Sequence, residues 1–493
     1  MRTQHKNDDW SIPNETTFPN CKVFSLCIHN DFATDQLRSI PSRSPRPQGA
    51  APPAADAPPA GLTFKTEKLK TFTPTAADIL KIPEGVTGDF DVAKTPPTIR
   101  FAVLPGQWKG ASLWSSWGDA LFASDTNFYC SIGDHNGPHG YSYVYKVDPK
   151  SGTVDMVVDV NAVLELPASD YAPGKIHAPL MEYDGWLVFA GYRGKSSAVT
   201  DEYNYVGDHL VRWNLTTGEA AFDPPPAPYC SLAASVVHKP SNRIYGVGPG
   251  GKRLDGKSKF FSYDLVNKKT VFLGDPSPDA TRAIIVAEDG RVWYSAGAVA
   301  AKKGKKGEAD TPGSPSMFAR YNPKSNKAEM TKMAVPGDKL RAASRTNSDG
   351  IAYGITWDGI MFRFDTVKEK VSVIGRTFET GPAYTAVCKL SPDERFLYYV
   401  PGSHGGTATA GTPIIQFDTK TNRRKVIAFI HDYMRGAANY YTGGTFGLDI
   451  SPDGKTVGII FNGRELSDTR SATGSNEFDN CMVLLIDIPE SER

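Results

Sequence analysis

Short runs of alternating apolar and polar positions, each ending at turn residues, fill the chain from Ile99 onward. The clearest run is an apolar strand that ends in Asp or Asn and is followed by a polar turn and a second strand, as in YVYKVDPKSGTVDMV from Tyr143. A period of two between turn signals predicts antiparallel β-strands. The run occurs seven times, and its acid or amide stands at Asp148, Asn214, Asp264, Asn322, Asp365, Asp418 and Asp487.

A second hairpin lies upstream of each run, with a turn such as DG, DT, SN or PDE, as in EYDGWLVFAG and AEDGRVWYSAG. Such turns between β-forming residues are strong hairpin signals. Each unit therefore holds four antiparallel strands, and seven units that close on themselves predict an all-β fold, a seven-bladed β-propeller of four-stranded antiparallel blades. The last unit lacks a fourth strand after Asp487, and we expect the N-terminal strand TIRFAVL, from Thr98 to Leu104, to complete that blade.

Three regions are predicted along the chain. Residues 1–62 end in RSPRPQGAAPPAADAPPAG, where Pro and Ala follow no period, so we interpret them as a disordered N-terminal extension with a Pro/Ala-rich linker. Residues 63–97 are mixed and extended, and we expect them to wrap the domain that follows. Residues 98–493 form the predicted propeller.

Composition narrows the functional classes. The 493 residues include 46 Gly and 37 Pro, which favours many tight turns, and the 55 basic and 54 acidic residues give a net charge of +1. No overall basic field indicates nucleic-acid binding, and no apolar run is long enough to cross a bilayer. No CxxC, GxSxG, HExxH, Walker or Rossmann motif stands in a suitable context. We expect a monomer, periplasmic or extracellular if the N-terminus hides a leader and otherwise cytoplasmic.

The turn motifs SPDE at Ser391 and SPDG at Ser451, together with strands that end in YDP-like turns, resemble seven-bladed propellers of the virginiamycin B lyase-like, gluconolactonase-like and TolB-like kinds. The resemblance covers Thr98 to Arg493. It implies the architecture and no particular chemistry, because unrelated functions share this fold. No specific family is assigned from it.

One face of the propeller is expected to carry the chemistry. We expect the four strands of each blade to run outward from the channel. The connections between second and third strands then lie on the same face as the connections between blades, and both kinds of connection are long. We call this end the loop-rich face, and the opposite end, which carries the hairpin turns, the tight-turn face. Long loops on a rigid scaffold commonly bind and catalyse. The residues expected to ring the channel mouth are His177, Tyr229, Arg282, Arg341 and Tyr384.

A basic and aromatic mouth of this kind suits β-elimination of a uronic-acid polysaccharide. The sugar carboxylate must be neutralised before its weakly acidic C5 proton is removed, and Arg, His and Tyr are suitable as neutraliser, base and proton donor. Composition and architecture also bear a looser resemblance to the β-propeller polysaccharide lyases that act on ulvan. We therefore expect an anionic polysaccharide partner, with His177 and His135 as base or acid, Tyr192 or Tyr229 as the acid, and Arg193 or Arg282 at the carboxylate. Further substrate contacts are assigned to Arg341, Tyr384, His404 and Arg435.

Other interpretations of the same residues stay open. His135 and His139 in GDHNGPHG have metal-like spacing, so the site suits either no cofactor or a divalent metal. A non-catalytic propeller that binds a small-molecule ligand or a protein needs no catalytic signature. A metal-dependent small-molecule lyase or lactonase needs carboxylate or amide ligands in the channel, where the predicted mouth offers His, Tyr and Arg. His177 in GKIHAPL also suits a structural role as a hydrogen-bonding cap of a strand.

Overall fold

A computed structural model describes residues 64–108, 114–194, 201–254, 256–279, 281–298, 314–466, 478 and 480–493. The extension predicted for residues 1–62 lies outside these residues.

Seven sheets follow one another along the chain and form the blades of a β-propeller, which confirms the predicted fold class. In blade 1 the four strands are Leu121–Phe122, Phe128–Gly133, Ser142–Val147 and Thr153–Asp159; in blade 2 they are Met181–Tyr183, Trp186–Ala190, Leu210–Asn214 and Ala220–Asp223; in blade 3 they are Ala234–His238, Arg243–Pro249, Ser258–Asp264 and Lys269–Gly274. In blade 4 they are Ile285–Val286, Val292–Ala296, Met317–Asn322 and Lys327–Ala334; in blade 5 they are Leu340–Ala343, Ile351–Thr356, Ile360–Asp365 and Lys370–Arg376; in blade 6 they are Cys388–Leu390, Phe396–Tyr399, Pro413–Asp418 and Arg424–Phe429.

Blade 7 closes the ring with strands from distant parts of the chain. Its first three strands are Tyr440–Ile450, Thr456–Glu465 and Asn480–Asp487, and its fourth is Thr98–Val103, which pairs antiparallel with the third. The prediction that an N-terminal strand completes the last blade is confirmed. A salt bridge of 2.8 Å between Arg100 and Asp487 crosses this closure, so the seventh copy of the repeated acid helps to join the blade.

The acid or amide that marks the repeat caps the turn after the third strand. The Asp264 carboxylate accepts hydrogen bonds from the backbone N–H groups of Val266 and Asn267 at 3.0 and 2.8 Å. The side-chain carbonyl of Asn214 accepts from Thr216 and Thr217 at 3.0 and 2.9 Å. Such Asx turns satisfy backbone donors that no strand partner reaches. The same arrangement occurs at Asp148, Asp365 and Asp418.

Apolar and aromatic side chains fill the spaces between neighbouring blades. Phe260 of blade 3 stacks on Tyr294 of blade 4 with ring centroids 4.9 Å apart, and Tyr321 of blade 4 lies 5.0 Å from the same ring. Because each inner strand is covered on both faces, it is apolar along most of its length. Four free cysteines are buried in this packing, Cys130, Cys230, Cys388 and Cys481.

Short elements decorate the outside of the ring. Glu67–Lys68 pairs with the edge of blade 1, Lys70–Phe72 with blade 7 and Asp91–Val92 with blade 6. The α-helices are Ala76–Ile79, Val160–Leu164 and His431–Ala438, and the 3₁₀ turns are Asp201–Tyr203, Lys239–Ser241, Lys252–Leu254, Thr407–Ala410 and Glu490–Glu492. Within the described ranges, no helix has the length and apolar character needed to cross a membrane.

Candidate functional site

The first strands of the blades line a narrow central channel. A cavity of about 60 Å³ lies inside it, and its lining includes Asp119, His177, Ser235, Arg282 and Phe446. Each first strand begins at the loop-rich face and runs toward the tight-turn face. The side chains that precede or begin these strands therefore stand at the loop-rich end of the channel.

Four basic side chains are buried at this end. The exposed fraction is 2% for Lys175, 9% for Arg193, 7% for Arg282 and 5% for Arg341. Lys175 forms a backbone bridge with Tyr192 in blade 2, Arg282 precedes the first strand of blade 4, and Arg341 lies in the first strand of blade 5. Burying a cation costs free energy unless an anion or hydrogen bonds compensate it. Lys175 and Arg193 have partners, and the charge of Arg193 acts on buried Asp208, so the cations that need a functional or structural reason are Arg282 and Arg341.

Arg282 and Arg341 form no ion pair with any residue in the described part of the chain. Arg282 donates Nη2 to the carbonyl oxygen of His177 at 3.2 Å and lies 4.6 Å from the ring centroid of Phe446. Its Nη1 is buried and has no hydrogen-bond partner among the described residues, and the same holds for Nε of Arg341. Each guanidinium group thus has a buried N–H donor without a partner among the described residues, which an external anion reaches only if neighbouring side chains move.

Burial lowers the pKa of both arginines. It lowers the pKa of Arg282 to about 9, helped by the neighbouring positive charge of Arg341. Burial also lowers the pKa of Arg341, although the Tyr384 hydroxyl opposes this shift. Arg282 still carries its charge at neutral pH, because about 9 lies above 7. Asp119, which lines the same cavity and pairs with Lys389 at 2.8 Å, opposes the downward shift in the pKa of Arg282.

His177 is held in one orientation beside Arg282. Its Nδ1 lies 3.0 Å from the carbonyl oxygen of Ala233, and its ring stacks on Tyr192 with centroids 4.4 Å apart. A carbonyl oxygen only accepts hydrogen bonds, so Nδ1 carries the proton and Nε2 carries the lone pair. Burial lowers the pKa of His177 well below its usual value, and Arg282 and Lys175 lower it further. The result is a neutral imidazole with a fixed tautomer.

His404 lies in an aromatic group at the same end. Its ring is 5.0 Å from Tyr384, 5.2 Å from Phe446 and 5.5 Å from Trp117. Burial lowers the pKa of His404 to about 3, and the charges of Arg341 and Arg282 add to this effect. The hydroxyl of Tyr384 is buried beside Arg341; burial raises its pKa, and the charges of Arg341 and Arg282 oppose that rise. His404 is therefore neutral and Tyr384 is a protonated phenol near pH 7.

Tyr192 connects these residues to the remaining cations. It is 3% exposed, the Nζ atom of Lys175 lies 5.8 Å from its ring centroid, and the guanidinium carbon of Arg193 lies 5.9 Å from it. Lys175 also lies 5.1 Å from the ring of Trp117. We call the connected set the mouth cluster; its members are Trp117, Lys175, His177, Tyr192, Arg193, Arg282, Arg341, Tyr384, His404 and Phe446.

His135 and His139 turn toward different neighbours. The His135 ring lies 5.6 Å from Trp117, at the edge of the mouth cluster, whereas the His139 ring lies 6.2 Å from Tyr203. Among the residues that the structure describes, no group of three or more His, Cys, Asp or Glu is arranged to hold a metal ion. The structure thus brings His135 to the channel mouth and leaves His139 outside it.

Two other residues selected from the sequence lie apart from the mouth cluster. The hydroxyl of Tyr229 accepts a hydrogen bond from Nη1 of Arg253 at 2.9 Å, and that guanidinium covers its ring at 4.8 Å. Arg435 lies on the helix His431–Ala438, where its side chain is 54% exposed and 3.9 Å from Asp432. Neither side chain contacts the mouth cluster within the described ranges.

Several members of the cluster were not selected from the sequence. Trp117 precedes the first strand of blade 1 at the same distance in sequence as His177 precedes that of blade 2, so alignment of the repeats offered a signal. Lys175 lies two residues before His177. Phe446 has no such signal, because it lies inside a long strand whose pairing shifts register on either side of Thr445. Its place at the mouth depends on those irregularities.

Comparisons with known proteins identify no family. No family model matches the chain, and no curated protein sequence matches it. Among solved structures, "Structure of U3-55K" aligns with a TM-score of 0.46 and 10% sequence identity, over 78% of this chain and 98% of that one.

Proposed function

We propose that this propeller binds a uronic-acid glycan at the mouth cluster and cleaves it by β-elimination. The observation that carries the proposal is the pair of buried guanidinium groups of Arg282 and Arg341, each of which has an N–H donor without a hydrogen-bond partner among the described residues. Arg282 also donates to the carbonyl oxygen of His177. A uronate carboxylate would supply the missing negative charge and accept those hydrogen bonds. Charge-assisted pairs between Arg and carboxylate are among the strongest polar contacts in proteins.

The elimination uses groups that are already in the required protonation state. His177 Nε2 accepts the C5 proton of the uronate, and the electron pair of that C–H bond forms the C4=C5 double bond as the C4–O bond breaks. The leaving oxygen takes a proton from the Tyr384 hydroxyl. The arginines stabilise the negative charge that develops on the carboxylate while the proton leaves, which is the electrostatic contribution expected to dominate such a reaction.

Ligand binding itself would activate the base. Burial holds the pKa of His177 low, and the charges of Arg282 and Lys175 add to this effect. A bound carboxylate compensates the positive charge of Arg282, so the pKa of His177 rises when the substrate is in place. A base with a pKa nearer the working pH is a more effective proton acceptor. Tyr192 acts as a positioning residue, because its stacked ring fixes the plane of the imidazole.

Ultraviolet absorbance tests this proposal, since elimination creates a conjugated double bond and hydrolysis does not. The purified protein is incubated with alginate, polygalacturonate, hyaluronan and ulvan, each with and without a chelator. We expect absorbance to rise with at least one polymer and to be insensitive to the chelator. His177→Gln should abolish the rise while the fold, monitored by circular dichroism, is retained.

His238→Gln is the matched control. His238 lies on the tight-turn face, where its Nδ1 contacts the Ser241 hydroxyl at 2.7 Å and its Nε2 contacts the carbonyl oxygen of Glu288 at 3.0 Å. This variant should keep full turnover. A wild-type rise that survives in His177→Gln would remove His177 as the base. Retained polymer binding with no rise for any polymer would replace the lyase with a non-catalytic binding propeller, and loss of the rise with chelator would indicate a metal.

A further inference from the structure

Both connections of blade 5 on the loop-rich face are short. The connection between second and third strands has three residues there, 357–359, whereas it has eight in blades 1 and 3 and thirteen to twenty in blades 2, 4, 6 and 7. The connection that enters blade 5, residues 335–339, is also the shortest between blades. We call these two short connections together the notch.

Chain geometry limits how far the notch rises above the blade. Consecutive residues span at most about 3.6 Å, so a three-residue connection that must return reaches about 7 Å, and an eight-residue connection reaches about 16 Å. The two connections of blade 5 therefore have the smallest maximum reach of those on the loop-rich face. The notch is the direction in which a polymer chain would leave the channel mouth.

A basic side chain that forms no ion pair in the described part of the chain stands in the notch. Lys339 is partly exposed, and its Nζ lies 4.7 Å from the ring centroid of Trp357, which occupies the three-residue connection. The backbone N–H of Trp357 donates to the carbonyl oxygen of Lys339 at 2.9 Å, so the two short connections are joined. Among the described residues, no carboxylate forms an ion pair with Lys339, and no hydrogen bond is made by its ammonium group.

Two carboxylates near Lys339, those of Asp358 and Asp279, accept hydrogen bonds from other groups. Asp358 accepts hydrogen bonds from the Thr356 hydroxyl at 2.5 Å and from the backbone N–H of Asp338 at 3.2 Å. Asp279 accepts from the Ser316 hydroxyl at 2.6 Å and from the backbone N–H of Ala298 at 3.0 Å. Asp338 accepts a hydrogen bond from the backbone N–H of Lys339 at 2.7 Å. The Lys339 ammonium acts on Asp279 through its charge, and it forms no ion pair in the described part of the chain.

Trp357 links Lys339 to the mouth cluster. The guanidinium carbon of Arg341 also lies 4.7 Å from the centroid of this ring, and Tyr384 contacts the ring at 4.9 Å. A single indole thus separates a buried cation of the mouth cluster from a partly exposed cation in the notch. Cation–π contacts of this kind restrict both cationic side chains.

We infer that the notch carries a second anion subsite, in which Lys339 binds an acidic group of the sugar adjacent to the one held by Arg282 and Arg341. This inference rests on the proposed binding of an anionic glycan and not on its cleavage. It makes the ligand a polymer with repeated negative charge rather than a single acidic sugar. Trp357 is a positioning residue, since it holds Lys339 beside the mouth cluster.

Affinity electrophoresis through gels that contain alginate, polygalacturonate, hyaluronan or ulvan tests the inference without requiring turnover. At least one polymer should retard the wild-type protein, and Lys339→Gln should weaken that binding about fivefold, as expected for one partly exposed charge pair. Fragments of the same polymer that are one or two sugars long should bind Lys339→Gln and the wild type with more similar affinities. Trp357→Leu should weaken polymer binding in the same direction.

Lys368→Gln is the matched charge control. Lys368 lies in the hairpin turn of blade 5 on the tight-turn face, is 77% exposed and pairs with Asp365 at 3.2 Å. Lys368→Gln removes one positive charge from the same blade and should leave the electrophoretic retardation unchanged. Three outcomes would overturn the inference. Both variants could lose retardation equally, Lys339→Gln could be retarded as much as the wild type, or no polymer could retard the wild type. Selective loss in Lys339→Gln without elimination would retain the subsite and reject the lyase.

Discussion

Arginine side chains have opposite surroundings at the two ends of the propeller. On the tight-turn face, Arg291 binds Asp289 and Glu369, each at 2.7 Å, and Arg345 binds Glu394 at 2.8 Å. At the loop-rich end, Arg282 and Arg341 are more deeply buried and pair with no carboxylate in the described part of the chain. Carboxylates within the chain thus compensate the arginines on the tight-turn face, whereas we propose that an external anion compensates those at the mouth.

The largest expected effect comes from removing a cation at the mouth. Arg282→Met keeps the length of the side chain and removes the guanidinium that is proposed to neutralise the carboxylate. We expect the rate of elimination to fall by about 10² to 10³, the range seen when one preorganised electrostatic donor is lost. Arg291→Met should leave the rate unchanged. Initial rates of absorbance increase measure both, and a rate equal to wild type in Arg282→Met would contradict the assignment.

The same two variants should change stability in opposite directions. Replacing a buried, unpaired charge by an apolar side chain of similar size is expected to raise the free energy of unfolding by about 1 to 4 kcal/mol. Arg291→Met instead breaks two ion pairs and should lower it by about 1 to 2 kcal/mol. Urea unfolding measures both values. Destabilisation by Arg282→Met would mean that the guanidinium has a structural role.

The pH dependence of the free energy of unfolding tests the low pKa of His404. An unfolded histidine binds a proton below about 6.5, whereas folded His404 binds one only near pH 3. The unfolded state therefore holds more protons between these values, and His404 destabilises the fold as the pH falls from about 6.5 to about 3. The free energy of unfolding of wild type relative to His404→Gln should fall by up to about 1.4 kcal/mol per pH unit in that window. Parallel pH profiles would exclude the shifted pKa.

The smallest expected effect belongs to the turns of the tight-turn face. Asn214→Ala removes the acceptor for two backbone N–H groups and should lower the free energy of unfolding by about 1 kcal/mol, as for other local capping contacts. Elimination should continue at the wild-type rate, because the turn is at the far end of blade 2. A large fall in rate with little loss of stability would show that the two ends are coupled.

The repeat made the ring predictable from sequence. Five of the seven acids and amides, such as Asp264, recur because they cap a turn. The missing fourth strand of blade 7 required a partner, which Thr98–Val103 supplies. Local turn chemistry and strand alternation are visible in a sequence, so blade number and closure follow from them. This part of the structure needs no information about contacts between blades.

The mouth was only partly predictable. His177, Arg282, Arg341 and Tyr384 stand at the starts of first strands, so the repeat placed them together. Tyr229 was expected beside them, yet its ring is covered by Arg253, because side-chain direction in an irregular connection is not fixed by sequence spacing. Phe446 was missed because irregular pairing of its strand sets its position. Which residues lose their partners on burial is a property of the assembled ring.

The most direct test of the central claim is a thermal-unfolding titration with glucuronate and galacturonate, with glucose as the neutral control. A ligand that binds the folded state raises the unfolding temperature. We expect at least one uronate to raise that temperature for the wild type and for Arg291→Met, whereas glucose should not. Arg282→Met should lose the shift. Equal shifts in Arg282→Met and wild type, or no shift with either uronate, would contradict an anion site at the mouth.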